Sequence, residues 1–207
     1  DSSIRVISSI QTSLVMYAIY KFGSEDQRVK YLPKLATGEL LGAFGLTEPD
    51  FGSNPSSMHS YYKEEGNNIV INGSKMWIGN AETADIAIIW IKDQSGEVRG
   101  VIIETKNVTN FTTTTLKDKW SFRSSKTGEL VFCDSVVSKD QILAKSTSIQ
   151  NAYECLNIGR YAVAWGALGI AEECYEIALN HAIERNQFGE PIAGKQLIQK
   201  KLVDMVT

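Results

Sequence analysis

Apolar positions near the start of the chain recur with helical spacing, at Ile7, Ile10, Leu14 and Ala18. They predict a helix over about residues 4–22, with Gly23 as its C-terminal stop. Ser24 and Gln27 then form the sequence signature of a capping box, which marks the start of a second helix. This helix is expected to run to about residue 36, so the first 40 residues are predicted to be helical.

After Gly42 the apolar pattern changes to alternation, with a period of two. The alternating positions are Ile69, Ile71, Ile86, Ile88, Trp90, Leu130 and Phe132. Turns are predicted at 67–68, at 93–96 and around 106–107, and the β-branched run 112–115 fits a strand. This pattern predicts an antiparallel sheet.

Helical periodicity returns from about residue 146 and extends to about Ile183. A loop at 189–191 and a further helix from about Ala193 follow. The order of helices, sheet and helices divides the chain into segments 1–41, 42–145 and 146–207. The longest apolar run, 155–171, is rich in Ala and Gly and predicts a buried helix, not a membrane span.

Composition narrows the class of protein. The 207 residues are 43% hydrophobic and 22% charged, which is typical of a soluble protein with a sizeable core. The formal net charge of −3 disfavours binding to nucleic acid. Three cysteines without close pairing fit a reducing compartment, and two distant histidines make a metal site improbable. We therefore expect no nucleic-acid partner, no metal and no membrane insertion.

Two short segments, 44–53 and 77–80, carry the most informative chemistry. Thr47 supplies a hydroxyl, and 52–53 (Gly-Ser) exposes backbone N–H groups that suit an anion. Trp77 offers an aromatic face beside a glycine, where a ligand can approach the backbone closely. The pairing suits a planar redox cofactor. Taken singly, the first segment is more often a plain turn and Trp77 more often a core residue.

The segments 44–53, 72–78 and 185–189 resemble the three signature segments of the acyl-CoA dehydrogenase flavoproteins, in the family's order and spacing. Within that family, the glutaryl-CoA dehydrogenases are the group that the chain most resembles, in the sequences of segments 30–35 and 196–202. The resemblance implies an α+β multidomain fold: an α-helical N-terminal part, an antiparallel β-barrel-like middle domain and a C-terminal helical bundle. By that comparison the chain looks truncated at both ends.

The resemblance also implies FAD as cofactor and assigns binding residues. Phe44 and Leu46 are as readily explained as inward strand residues. The implied cofactor residues are Phe44, Leu46, Thr47, Gly52, Ser53, Trp77, Ile78, Gly79, Arg185, Phe188 and Gln196. The implied substrate residues are Arg5, Ser53, Tyr153, Asn157 and Arg160.

Three arginines have alternative interpretations. Arg185, which the family uses to hold the FAD nucleotide across a subunit boundary, could be a helix-end charge before a glycine cap. Arg160 could form a buried ion pair with Glu154 or Glu172. Arg5, which by resemblance receives the distal carboxylate of glutaryl-CoA, could be a solvated surface charge.

The sequence departs from the family pattern at three positions. Val6 and Gly79 replace hydroxyl residues, and Gly159 stands where a minority of members carry the catalytic base. We therefore expect the base beyond Thr207 and no catalytic residue within this chain. Gly79 also resembles the short-chain acyl-CoA oxidases, which use oxygen as acceptor.

The function implied is FAD-dependent α,β-dehydrogenation of a short-chain acyl-CoA, with glutaryl-CoA decarboxylated to crotonyl-CoA. The implied partners are an acyl-CoA substrate, an electron-transferring flavoprotein and further copies in a homotetramer (a dimer of dimers). The implied compartment is the mitochondrial matrix, or the cytoplasm of a prokaryote. The alternatives are an oxidase that uses oxygen and a non-catalytic flavin- or CoA-binding scaffold.

Overall fold

The computed structural model describes residues 2–207. Its helices are α1 (Ser2–Ser9), α2 (Tyr17–Phe22), α3 (Glu25–Thr37), α4 (Ile149–Glu184) and α5 (Gln196–Val206). Its strands are β1 (Gly42–Gly45), β2 (Tyr61–Glu65), β3 (Asn68–Gly79), β4 (Ile86–Lys92), β5 (Val98–Glu104), β6 (Phe111–Thr115), β7 (Thr127–Ser138), β8 (Asn186–Gln187) and β9 (Glu190–Pro191). Helices flank a sheet, so the predicted fold class is confirmed.

The N-terminal helices begin and end where the sequence predicted. A π-helical segment, Ile10–Met16, joins α1 to α2, which stops at Gly23. The capping box of α3 is present: the Ser24 hydroxyl accepts from the Gln27 N–H at 3.1 Å, and the Gln27 side chain accepts from the Ser24 N–H at 2.9 Å. Gly38 ends α3 at φ +76°, which favours glycine.

The helices are fastened to the first strand by one glutamine. Gln11 donates to the carbonyls of Leu35 and Leu40 at 2.9 and 2.7 Å, and its side-chain oxygen accepts from the Gly42 N–H at 2.8 Å. A Cβ on Gly42 would stand 2.7 Å from the side chain of Val15. The close approach of helix and strand therefore needs glycine, and it fixes where β1 enters the sheet.

The seven-stranded sheet has the order β1-β4-β2-β3-β7-β6, with β5 paired to β4. Most pairs are antiparallel, as predicted, but β1 and β4 run parallel, from Gly42 opposite Ile86 to Gly45 opposite Ile89. The β2–β3 hairpin lies between β1 and β4 in the sequence. After this hairpin, β4 enters the sheet beside β1 and runs in the same direction as β1. All of β1 and the first six residues of β4 are buried, which is typical of parallel pairing.

Two apolar clusters cover the two faces of the sheet. Alternate residues of β4 separate between them: Ile88 and Trp90 pack in the cluster with the N-terminal helices, whereas Ile89 and Ile91 pack in the other. This explains why the run 86–91 is apolar at every position. The first cluster also contains Cys155 of α4, so the start of that helix belongs to the core that supports β1.

The described chain divides into two compact units, one ending at Arg160 and one spanning Tyr161–Thr207. The predicted segment boundary at 145/146 therefore falls inside the first unit. In the second unit, the predicted loop at 189–191 is a short hairpin of β8 and β9.

The apolar run 155–171 is helical, as predicted, but the prediction that it is buried is wrong. Tyr161 and Trp165 are 67% and 60% exposed, and Leu168 and Ile170 are about half exposed. No helix in residues 2–207 has the length and apolarity to span a bilayer.

Candidate ligand-binding site

The two segments singled out in the sequence adjoin one cavity. The chain leaves β1 into 46–53, and the Met76 N–H of β3 donates to the Thr47 carbonyl at 2.8 Å. A cavity of about 520 Å³ opens beside this contact. It is lined by Phe44, Leu46, Thr47, Gly52, Ser53, Pro55, Trp77, Ile78, Tyr153, Leu156 and Arg160. The structure thus brings together nine of the residues that the sequence assigned to cofactor or substrate.

Trp77 owes its place to a β-bulge. The register between β3 and β7 shifts between Lys75 and Ile78, so one extra residue is inserted in β3. Trp77 adopts φ +63°, which is unusual for an aromatic residue, and its side chain is 61% exposed. The alternative that Trp77 is a core residue is therefore wrong, because the bulge turns it out of the alternating pattern.

Phe44 and Leu46 serve as both core and wall. They are 8% and 6% exposed and belong to the cluster packed on the N-terminal helices, yet both line the cavity. The ring of Phe44 lies 6.1 Å from the buried Trp90 ring. The cavity wall is consequently supported by rigid core packing, which favours a pre-formed site.

The polar lining consists of hydroxyls and one guanidinium. Thr47, Ser53 and Tyr153 contribute hydroxyls, and Arg160 is exposed, donating to the Asn157 side chain at 2.9 Å. In the lining that residues 2–207 provide, no carboxylate is present. Across the same residues, the ion pairs include none between Arg160 and Glu154 or Glu172, so that alternative is not supported. An apolar wall with hydrogen-bond donors and one cation suits a planar ring beside an anionic group.

Three predicted residues of the first unit lie outside this lining. Arg5 is in α1, and its buried Nε has no hydrogen-bond partner among the described residues. Asn157 contacts the site through Arg160. Gly79 ends β3, and a Cβ there would stand 2.3 Å from the Cδ1 atom of Ile10.

The remaining predicted residues belong to the second unit. Arg185 and Gln196 are exposed, and Phe188 is 95% exposed at φ +56°. The Lys195 ammonium lies 5.9 Å from the centre of the Phe188 ring. Arg185 follows Glu184, the last residue of α4, so it is a helix-end charge, as the alternative held. The glycine-cap part of that alternative is wrong, because Gly189 forms the turn between β8 and β9 and does not cap α4.

Sequence reasoning missed a buried ion pair behind the cavity wall. Lys75 is fully buried, and its Nζ lies 2.8 Å from Oε1 of Glu48, which is 4% exposed. The signal was present: Lys75 follows Ile69 and Ile71 in the inward phase of a strand, where a lysine is costly unless paired. Pro55 and Leu156 of the lining were also missed, because nothing local marks them.

The two charges of the pair affect each other. Burial lowers the pKa of Lys75 to about 8, although the attraction and hydrogen bond of Glu48 oppose that shift. Burial alone would raise the pKa of Glu48. Lys75, the Ser60 contact and the His59 backbone together hold that pKa below its ordinary value. Both groups are therefore charged near neutral pH.

Three segments of the chain match the three domains of one protein family. Residues 1–39 match the N-terminal domain of acyl-CoA dehydrogenase, 43–135 its middle domain and 149–207 its C-terminal domain. The chain is 39% identical over 211 residues to an acyl-CoA dehydrogenase of Bacillus subtilis, covering 100% of this chain and 56% of that protein. It is 36% identical to a glutaryl-CoA dehydrogenase of Desulfococcus multivorans, covering 99% of this chain and 54% of that protein. The chain thus spans about half the length of these relatives.

Solved structures agree. A glutaryl-CoA dehydrogenase from Mycobacterium smegmatis superposes with a TM-score of 0.95 at 43% identity, covering 99% of this chain and 52% of that one. A second such structure, in complex with FADH2, has a TM-score of 0.95 at 38% identity, covering 100% of this chain and 53% of that one. Bacterial and mitochondrial proteins both occur among the relatives. From its sequence and its fold, the chain belongs to the acyl-CoA dehydrogenase family.

Proposed function

We propose that this protein binds FAD with its flavin ring in the 520 Å³ cavity and serves the α,β-dehydrogenation of a short-chain acyl-CoA. The observation that carries the proposal is the meeting of the Thr47 turn and the Trp77 bulge at one cavity. Relatives solved with FAD or FADH2 support the same cofactor. Bound FAD would accept a hydride from the carbon β to the thioester.

The residues of this chain would hold and orient the ring. Phe44, Leu46 and Ile78 form a buried apolar wall that excludes water, and the Trp77 indole gives an exposed aromatic face beside it. Thr47 would supply a hydroxyl to the bound flavin, and Ser53 would supply one to the thioester. No carboxylate among the described lining residues is available as a base, so proton removal is assigned to none of them.

We propose glutaryl-CoA as the acyl-CoA. Arg5 supports this substrate, because its buried Nε has no partner in the described residues and would be satisfied by a carboxylate at the end of the acyl chain. The relatives named as glutaryl-CoA dehydrogenases point the same way. Proteins named for butyryl-CoA and for short-chain acyl-CoA have similar identities, 36% and 34%. The proposal of glutaryl-CoA over these other substrates therefore rests on Arg5.

Arg185, Phe188 and Gln196 are proposed to hold the nucleotide end of FAD on a second copy of the protein, as part of a homotetramer. The support for this proposal is that these side chains are exposed. A solvated guanidinium and a solvated aromatic ring three residues apart in the chain suit a pyrophosphate and an adenine. Electrons would then pass to an electron-transferring flavoprotein. An Arg185→Ala variant should bind FAD more weakly while its cavity residues are unchanged.

The direct test is titration of the purified protein with FAD, followed by anaerobic addition of glutaryl-CoA or butyryl-CoA. Bound FAD should give a flavin absorption band that bleaches with glutaryl-CoA. A protein that gains no visible band with FAD would exclude the proposal. FAD binding without bleaching by either thioester, in a protein that carries the base expected beyond Thr207, would favour the non-catalytic scaffold.

Gly79 keeps the oxidase as a second candidate. The position has no hydroxyl, and the Ile10 methyl fills the space that a side chain would need. Position 79 would therefore offer a bound flavin no hydroxyl. Admission of air to the substrate-reduced protein separates the two activities: rapid peroxide formation indicates an oxidase, and slow reoxidation a dehydrogenase.

A further inference from the structure

The Lys75–Glu48 pair connects three segments of chain behind the cavity. The Lys75 ammonium donates to Glu48 at 2.8 Å and to the Leu46 carbonyl at 3.2 Å. The Glu48 carboxylate also accepts the His59 N–H at 2.6 Å and the Ser60 N–H at 3.0 Å. The turn after β1, the start of β2 and the strand β3 thus converge on two charges.

The pair also lies next to the residues that face the ligand. Glu48 follows Thr47, and Lys75 lies two residues before Trp77. The Met76 N–H donates to the Thr47 carbonyl and so joins the two segments. Thr47 and Trp77, which line the cavity, are therefore each held close to a residue of the ion pair. A Cβ on Gly45 would lie 3.2 Å from Cγ of Lys75, which shows how closely the lysine stem packs on β1.

The strained backbone at Trp77 needs such support. A bulky residue at φ +63° is unfavourable unless its surroundings over-determine it. Beyond the bulge, buried Asn80 donates to the Gly42 carbonyl at 3.0 Å, which ties the end of β3 to the start of β1. Before the bulge, Lys75 makes the corresponding tie to the carbonyl of Leu46, the residue that follows β1. The bulge is therefore held on both sides, against β1 and against the residue after it.

We propose that Lys75 and Glu48 are positioning residues that hold the Thr47 turn and the Trp77 bulge in the geometry required for flavin binding. The inference rests on the proposed function for the identity of the ligand. The role of the pair is to position the residues of the cavity wall, and neither Lys75 nor Glu48 is among the residues that line the cavity. A neutral pair of similar volume, methionine and glutamine, would maintain the fold, because buried ion pairs are often replaceable in stability. It would lose the hydrogen bond from Lys75 to Leu46 and would leave a single neutral amide oxygen, in place of a carboxylate, to accept from the His59 and Ser60 N–H groups.

The test compares Lys75→Met, the double variant Lys75→Met/Glu48→Gln and a control, Lys139→Met. The control removes an ion pair of similar length, 2.6 Å to Glu64, that is partly exposed and lies outside the cavity lining. Hydrogen exchange of peptides covering 44–53 and 74–79 is measured without ligand. The FAD dissociation constant and the visible circular dichroism of bound FAD are measured on the same proteins.

We expect exchange in both peptides to accelerate at least about tenfold in Lys75→Met and in the double variant, but not in the control. FAD affinity should fall by at least about tenfold in both, with an altered flavin dichroism in the fraction that binds. The double variant should recover the melting temperature, since it buries no unpaired charge. If Lys75→Met fails to fold, the double variant alone decides the outcome.

A double variant with wild-type exchange, affinity and dichroism would overturn the positioning role and leave the pair a matter of stability alone. If the wild-type protein binds no FAD, the proposed function fails, and the exchange measurement still decides whether the pair holds the two segments. Unchanged exchange in Lys75→Met and in the double variant would also overturn the inference. The two failures are therefore distinguishable.

Discussion

Trp90 in β4 and Trp165 in α4 lie in regions of similar apolar composition whose packing differs. Trp90 is fully buried, with the rings of Phe22 and Phe44 at 6.3 and 6.1 Å. Trp165 is 60% exposed, and its nearest aromatic neighbour is Tyr161, one helical turn earlier. In the first unit, long-range packing fixes the cavity wall. In the second, the apolar surface is presented to solvent and is available to another chain segment or molecule.

The largest expected effect is loss of the Trp90 ring. Trp90→Ala should lower the free energy of unfolding by about 3–5 kcal/mol, because it leaves a cavity beneath Phe44. Trp90→Phe is the matched control: it keeps an aromatic ring and removes an indole N–H that has no partner in the described residues. Denaturant unfolding followed by circular dichroism checks both. An equal loss in the two variants would show that packing around Trp90 is not what supports the wall.

The second prediction concerns the pH dependence of stability through Lys75. Its folded pKa, about 8, lies below its ordinary value of 10.5. The unfolded chain therefore binds more protons between these values, and this group makes stability rise with pH across that window. The full contribution is on the order of 3 kcal/mol at about 1.4 kcal/mol per unit. It is absent below pH 8, where the lysine is charged in both states.

Lys75→Met removes this contribution, so the difference in unfolding free energy between wild type and variant should grow between pH 8 and 10.5. The exposed pair of Lys139 gives the control, and Lys139→Met should follow the wild-type curve. Urea unfolding at intervals of half a pH unit provides the measurement. Parallel curves for wild type and Lys75→Met would mean that the folded pKa of Lys75 equals its ordinary value, so that burial does not lower it.

Local signals predicted the elements well, because capping and turn chemistry act over a few residues. The box at Ser24 and the stop at Gly23 lie where the sequence places them. The parallel pairing of β1 with β4 joins residues 44 positions apart, such as Gly42 and Ile86, and no local pattern encodes it. The alternation through β3 would have placed Trp77 inside, since one inserted residue reverses the faces.

Most residues that line the candidate cavity could be predicted from the sequence. The residues that hold the lining in place were harder to predict. Thr47 and Trp77 stand in recognisable motifs, whereas Leu156 reaches the cavity from a helix more than 70 residues further on in the chain than Trp77. A buried charge at Lys75 could have been predicted from its inward phase in the strand. Its partner, Glu48, could not, because Glu48 lies in an irregular turn without periodicity.

The third prediction tests the close contact at the end of β3. Gly79→Ala should cost about 1–3 kcal/mol of stability, because its Cβ would stand 2.3 Å from Cδ1 of Ile10. The end of the isoleucine side chain is able to move, so Ile10→Val in the same protein should restore part of the loss. A double-mutant cycle measures the coupling. Additive effects would mean that Ile10 and Gly79 are not in contact.

The smallest expected effect is that of Trp165→Ala, within about 0.5 kcal/mol, because a residue that is 60% exposed loses little packing. The comparison with Trp90→Ala then reports how far the exposed apolar surface of α4 is covered in solution. A loss that grows with protein concentration would indicate a second copy on that surface, since burial there would be intermolecular. A loss as large as that of Trp90→Ala at every concentration would contradict the exposed state of α4 and show that this face packs within the protein.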